Sequence, residues 1–255
     1  MPPSTDQHET APASDRHPGL LNHRDLGGTP TRDGRVLASG RLVRAAEPVD
    51  LSDDEVATLA ALGVRSRIDL RAQDEPAQQP CTELDAAGVA VHHVPFRGLL
   101  AAERLPPLET AEQLGEYYLA SARANLGALV TAVELVAGEA ALATLVHCAW
   151  GKDRAGLVIA TVLELVGVPR EAVLADYART QEAAPRLLDR VLARVPPERA
   201  AKIDRDRPVL HAHEVTMRTF LTAVDAEHGG VAGLLSDGGA DPAGLAEALR
   251  GRLLA

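Results

Sequence analysis

The sequence predicts an α/β protein: a mostly parallel central sheet flanked by helices, with a helical C-terminal part. Three observations carry that expectation. Short apolar runs of strand length alternate with longer helical segments through the first two-thirds of the chain. Beyond Gly167 the chain reads as helix throughout. A Gly-containing polar loop, Cys148 to Arg154, stands between a strand and a helix, the place where open α/β sheets hold ligands.

Taken in order, Met1 to Gly19 is rich in Pro, Ser, Thr and charge and reads as a disordered arm, with a single domain over 20–255. Val36-Leu37-Ala38 and Arg41-Leu42-Val43 read as short strands around a Ser39-Gly40 turn. Ser52 and Glu55 have capping-box spacing and open a helix that closes at Gly63. Val64 to Leu70 and Val89 to Phe96 are strands joined by a polar, Gln- and Pro-containing connection. The Pro- and Leu-rich stretch from Gly98 to Thr110 reads as a lid, and one Ala-rich helix follows from Glu112 to Ala137. Leu142 to Val146 is a buried strand, and Ala155 to Gly167 is long enough for a buried helix. Helices over Arg170–Thr180, Ala183–Arg194, Val209–His228 and Pro242–Leu254 complete the chain.

At 255 residues and 46% hydrophobic, the chain can bury one sizeable core, built from Ala, Leu and Val because aromatics supply only 2%. A net charge of −10 argues against general nucleic-acid binding, which needs a basic surface. The two cysteines lie 67 positions apart (81 to 148), which is neither a metal-ligand spacing nor a disulfide framework, so free thiols in a reducing compartment are expected. No apolar run reaches about 18 residues without a charge, and Met1 to Pro18 lacks an apolar signal core. Cytoplasmic residence without stable membrane insertion is the expectation, with export by another route left open.

The chemistry concentrates in His147-Cys148-Ala149-Trp150-Gly151-Lys152-Asp153-Arg154. A strand, a tight loop and a helix start make an anion site, since free backbone N–H groups and the helix dipole point into the loop. A thiol placed there is favoured as a thiolate nucleophile, and Arg154 offers a planar fork for phosphate oxygens. The spacing alone is weak: 24 of the 26 basic residues are Arg, so the chance that one of the two Cys meets an Arg six positions on is about one in five. The strand–loop–helix setting, with Gly151 and Gly156, supplies the specificity.

With these residues in view, the segment resembles the phosphate-binding loop of Cys-based protein tyrosine phosphatases. Its Gly-Lys-Asp-Arg ending resembles the bacterial branch with tyrosine, dual-specificity and phosphoinositide activity. Asn22-His23-Arg24-Asp25-Leu26-Gly27-Gly28, Gly40-Arg41-Leu42-Val43-Arg44, Ile68-Asp69-Leu70-Arg71 and Ala175-Asp176-Tyr177 resemble further motifs of that branch. The resemblance implies a protein-tyrosine-phosphatase-like fold and hydrolysis of phosphate monoesters through a phosphocysteine, without metal or organic cofactor. Phosphotyrosine proteins are the implied substrates, with dual specificity or phosphoinositides as alternatives.

Residue by residue, Cys148 is the candidate nucleophile, and Ala149, Trp150, Gly151, Lys152, Asp153 and Arg154 form the phosphate cradle. His147 ends the strand and helps hold the loop. Trp150 is either a lip against substrate or a plug against a helix. Lys152 is read either as a rim charge paired with Asp153 or as positive potential for a multiply phosphorylated head group. The stretch after the Val89–Phe96 strand holds no acid until Glu103, so the proton donor is Asp153 or Asp69, with Asp153 preferred. Asp25 caps structure near the site, Arg24 pairs with it or assists phosphate, and Asp176 supports the loop or its Arg. Ala155 stands where the resembling family carries Ser or Thr, which implies slower breakdown of the intermediate. Sulfur transfer or arsenate reduction by an anion-loop Cys, and phosphate binding without turnover, are the competing readings.

Overall fold

The computed structural model describes residues 18–97, 108–138 and 143–255. Five strands form one sheet: β1 (Arg24–Asp25), β2 (Leu42–Ala45), β3 (Val64–Asp69), β4 (Ala90–His93) and β5 (Ala143–His147). Their order is β1-β2-β5-β3-β4, parallel throughout except for β1, which runs antiparallel at one edge. The expected α/β architecture with a mostly parallel sheet is therefore present. β5 lies in the middle, and its last residue, His147, is level with Ala45 on one side and Asp69 on the other.

Alternation along these strands feeds two layers of packing. Leu42, Ile68 and Val146 turn to a large core under the C-terminal helices, whereas Val43, Ala45, Val64, Ala143 and Leu145 turn to a smaller one. The smaller face is covered by α1 (Asp53–Ala61), which opens with the expected capping box of Ser52 and Glu55, and by α3 (Thr82–Ala86). On the other face, α6 (Asp153–Val166) is buried at every position but Glu164, as a central crossover helix must be. Around it lie α4 (Ala111–Ala124), α5 (Leu126–Ala137), α7 (Arg170–Ala178), α8 (Ala184–Leu192), α10 (Glu214–His228), α11 (Val231–Asp237) and α12 (Pro242–Leu253). Two one-turn helices complete the set, α2 (Glu75–Gln78), which borders the site described below, and α9 (Pro197–Ala200).

Several boundaries depart from the sequence reading. Val36 and Leu37 make isolated bridges to Pro30 and Leu254 rather than a strand. The polar connection after β3 folds into α2 and α3. The single helix expected over Glu112–Ala137 is two helices meeting at 83°. Asn125 causes the break: its side-chain amide accepts from Arg97 N–H (2.6 Å) and donates to Arg97 C=O (3.0 Å), pairing like a peptide with the chain beyond β4. The lid expected from Gly98 onward falls largely outside the described residues, and α4, which follows it, carries the buried core residues Leu114 and Tyr118. Among the described residues no single helix is long and apolar enough to cross a membrane.

Candidate active site

β5 ends at His147 and hands Cys148 directly to the loop, where its side chain is buried at 1% exposure. Gly151 takes φ +65°, and a Cβ there would collide with the Ala45 carbonyl, so only glycine lets the loop lie against the end of β2. The first bond of α6 runs from Gly156 N–H to Lys152 C=O (2.9 Å), which leaves the amides of Asp153, Arg154 and Ala155 without helical acceptors. A thiol, a loop and a helix start thus converge on one point.

The loop is held from behind by a chain of polar contacts. Asn22, itself at φ +53°, donates its amide to the Trp150 carbonyl (2.9 Å) and accepts from Arg24 (2.6 Å). Arg24 donates to one oxygen of Asp176 (2.6 Å) and Arg44 to the other (2.5 Å), while Arg44 also donates to the Gly151 carbonyl. Asp176 bonds neither the loop nor Arg154 directly; it acts on the loop through Arg44, and Arg24 pairs with Asp176 rather than with Asp25. Asp25 instead accepts from Gly27 N–H (3.1 Å), Gly40 N–H (2.8 Å) and the Ser39 hydroxyl, fixing a turn away from the loop.

Arg154 is buried, and Glu75 of α2 meets its guanidinium end-on, accepting from Nη1 and Nη2 (3.1 Å for the latter). Its Nε has no protein partner. Burial alone would weaken this cation, but Cys148, Glu75 and Asp153 around it hold it more firmly protonated than a free Arg. The same contact, against the opposing effect of burial, keeps Glu75 below the usual Glu range. Glu75 was missed in the sequence because nothing local distinguishes it from other acids in that polar connection.

Asp153, the first residue of α6, accepts from the Tyr118 hydroxyl, which lies 2.8 Å from the Tyr177 hydroxyl. Lys152 Nζ stands 3.3 Å from the same oxygen, Oδ1. Burial and the neighbouring Asp153 charge push the Tyr118 hydroxyl well above its ordinary value, so it remains a donor. Lys152 is a correction to both sequence readings. Its side chain is fully buried, and its ammonium donates to the carbonyls of Val209 (2.5 Å) and His211 (3.0 Å), so it neither lies on a solvated rim nor presents a charge to substrate. Trp150 is half-buried against Leu21, Ala46, Ala183 and Leu187, and it also lines the cavity described below, so both of its expected roles have contacts to match.

Asp69 does not share the site. Arg71 grips both of its oxygens (2.9 and 2.6 Å); burial opposes ionisation, but His147 and Arg71 together hold the carboxyl far below the usual range. A carboxyl ionised that firmly is a poor proton donor. Burial likewise depresses His147 to about 4 against the partial pull of Asp69, whose carboxylate lies 3.9 Å from Nδ1, and neither ring nitrogen has a hydrogen-bond partner. A base whose folded value lies below its unfolded one stabilises the fold fully above the unfolded value, and that stability is lost as pH falls through the folded one. Urea midpoints should therefore fall between about pH 6.5 and 4, with a slope that His147→Gln flattens. An unchanged slope in the variant would remove His147 as the cause. The other cysteine, Cys81, is buried and pushed up to about 11 by that burial, which leaves it an inert thiol.

In front of the loop opens a cavity of about 300 Å³. Cys148, Ala149, Trp150, Asp153 and Arg154 of the loop line it together with Glu75, and Leu188, Val191, Ile203, Arg207, Val209 and Leu210 supply the rest of its wall. A buried sulfur, free helix-start amides and a guanidinium sharing one cavity at the C-terminal end of the central strand define a Cys-dependent phosphatase site. The chain belongs to the tyrosine phosphatase family, whose model matches residues 16–255. It is 33% identical over 203 residues to the triple specificity protein phosphatase PtpB of Mycobacterium tuberculosis, covering 68% of this chain and 71% of that one. It is 29% identical over 179 residues to a tyrosine-protein phosphatase of Nostoc commune, covering 69% of this chain and 58% of the relative. Among solved structures, the core catalytic domain of the PP-IP phosphatase Siw14 from S. cerevisiae superposes with a TM-score of 0.40 at 18% identity (71% of this chain, 90% of that one), an overlap too low to add to the assignment.

Proposed function

We propose that this phosphatase hydrolyses phosphotyrosine in proteins through a phosphocysteine on Cys148. The observation that carries the reading is the shared cavity of Cys148, Arg154 and the open start of α6. Cys148 Sγ attacks phosphorus in line; the S–P bond forms as the P–O bond to the leaving group breaks. Amides of the loop and the unpaired Nε edge of Arg154 take the equatorial oxygens, with Glu75 fixing the far edge of the guanidinium. Asp153, anchored at Oδ1 by Tyr118 and Lys152, gives a proton to the departing oxygen from its other oxygen. Water then attacks phosphorus, Asp153 takes its proton, and the S–P bond breaks to restore the sulfur and release phosphate. Asp69 drops out as the alternative acid.

Phosphotyrosine is favoured because the cavity shared with Cys148 is lined by apolar side chains apart from its four charged groups, and suits an aryl ring. Activity on phosphoserine or phosphothreonine is the second reading, motivated by the relative named for triple specificity. The same relative keeps phosphoinositides as an alternative, but the buried Lys152 no longer argues for them. Two free thiols, Cys81 and Cys148, fit the reducing cytoplasm.

The test is rapid acid quenching during p-nitrophenyl phosphate hydrolysis. A burst of nitrophenol is expected, with one phosphoryl group of added mass on the peptide containing Cys148. Vanadate binding without any turnover would leave phosphate binding as the function. Ala155, fully buried at the start of α6, carries no hydroxyl. Ala155→Ser should speed breakdown of the intermediate severalfold and shrink the burst relative to steady turnover; an unchanged ratio would remove Ala155 as the cause of slow dephosphorylation.

A further inference from the structure

Four charged side chains line the cavity, and three have opposite charges in hand. Arg154 is paired with Glu75, and Asp153 with Lys152. Arg207 has no ion-pair or hydrogen-bond partner for its side chain among the described residues, although the protein as a whole is acidic. In the neighbouring hollow of about 340 Å³, by contrast, Arg194 is already bound to Glu47 (2.6 Å). An unpaired guanidinium lining the same cavity as the phosphate loop lacks only an anion.

Its backbone is well placed to present it. The Arg207 carbonyl accepts from Leu210 N–H (2.9 Å), closing a short 3₁₀ turn over Pro208–Leu210. Lys152 of the loop holds that same segment by the carbonyls of Val209 and His211. Only Pro208 separates Arg207 from Val209 and its direct tie to the phosphate loop, so the placement of Arg207 relative to that loop is set by the fold.

Between them the surface is apolar: Trp150, Leu188, Val191, Ile203, Val209 and Leu210. At about 300 Å³ the space is twice that of the roughly 150 Å³ cavity that holds benzene, enough for an aryl ring with its phosphate. A polyol ring there would leave hydroxyls facing side chains that cannot bond them. We infer that Arg207 is a specificity residue that binds an acidic side chain flanking phosphotyrosine in a peptide substrate. This rests on the phosphotyrosine reading above.

The experiment compares kcat/KM for paired phosphotyrosine peptides, one with Asp or Glu beside the phosphotyrosine and one with Ala there. The wild type should prefer the acidic peptide by about tenfold, mainly through KM, as a charge-assisted guanidinium–carboxylate contact permits. Arg207→Ala should erase the preference, Arg207→Lys should restore part of it, and Arg207→Glu should invert it toward a Lys-flanked peptide. A preference that survives Arg207→Ala, or one absent from the wild type, overturns the inference. So does wild-type kcat/KM higher on vesicles containing a phosphoinositide bisphosphate than on either peptide. Failure of the phosphatase reading itself is separate, since it would show as no turnover of p-nitrophenyl phosphate by the wild type.

Discussion

Replacing Cys148 with Ser should lower kcat/KM for p-nitrophenyl phosphate by about 10⁴-fold or more, about 5.5 kcal/mol of transition-state stabilisation. The two side chains differ by one atom, so packing is nearly conserved at this buried position. A hydroxyl, however, has to lose a proton to attack, and no base stands ready. His147 is next in sequence but fully buried in the strand and absent from the cavity wall. Glu75 is committed to Arg154, and in the proposed mechanism Asp153 enters this step already carrying the proton destined for the leaving oxygen. Vanadate should still bind the Ser variant, because Arg154 and the open amides remain. Retention of turnover within tenfold, with an unchanged melting profile, would mean that another group attacks phosphorus.

Loss of Asp176 should produce the largest change in stability, about 3–5 kcal/mol, because it leaves two buried guanidiniums facing each other without an anion. Arg24 already shows that strain: burial and the neighbouring Arg44 lower it to about 10 even with Asp176 in place. In a chain of this length Asp176→Ala should lower Tm by about 10 °C. The wild-type pair also sets an acid limit. Burial opposes the charge on Asp176, but Arg44 and Arg24 hold its carboxyl below the usual range. Its stabilisation is therefore present above the unfolded value of about 4 and lost as pH falls through the lower folded one. The Asp176→Ala variant should lose less stability than the wild type over that acid window. If Tm moves by less than about 2 °C, the two arginines have found other partners and the polar chain behind the loop is not what holds it.

The architecture was legible because strand-length apolar runs and glycines have few alternative readings, and the phosphate loop because its neighbours on both sides are unambiguous elements. Asn22, Arg44 and Asp176 were visible as pieces of motifs, but the bonds of Asn22 and Arg44 to the carbonyls of Trp150 and Gly151, with Asp176 holding Arg44, needed β2 and α7 brought together. Lys152 was misread since a lysine beside an aspartate looks solvated in one dimension; only the return of residues 209–211 over the loop buries it. Glu75 and Tyr118 carried no local signal at all. Their function depends on a partner 79 residues away in the first case and 35 in the second. The bend at Asn125 was hidden for the same reason, because its cause, Arg97, lies on another element.

The ammonium of Lys152 joins floor to wall: a residue of the phosphate loop grips a segment 57 positions later in the chain. Reaction and recognition therefore have no independent suspension. A substitution that widens the cavity for a bulkier substrate by shifting residues 207–211 also tugs on the backbone beside Asp153 and Arg154. Re-engineering of substrate range in this protein has to work by exchanging side chains along the wall, since the wall itself cannot be moved without detuning the centre it faces.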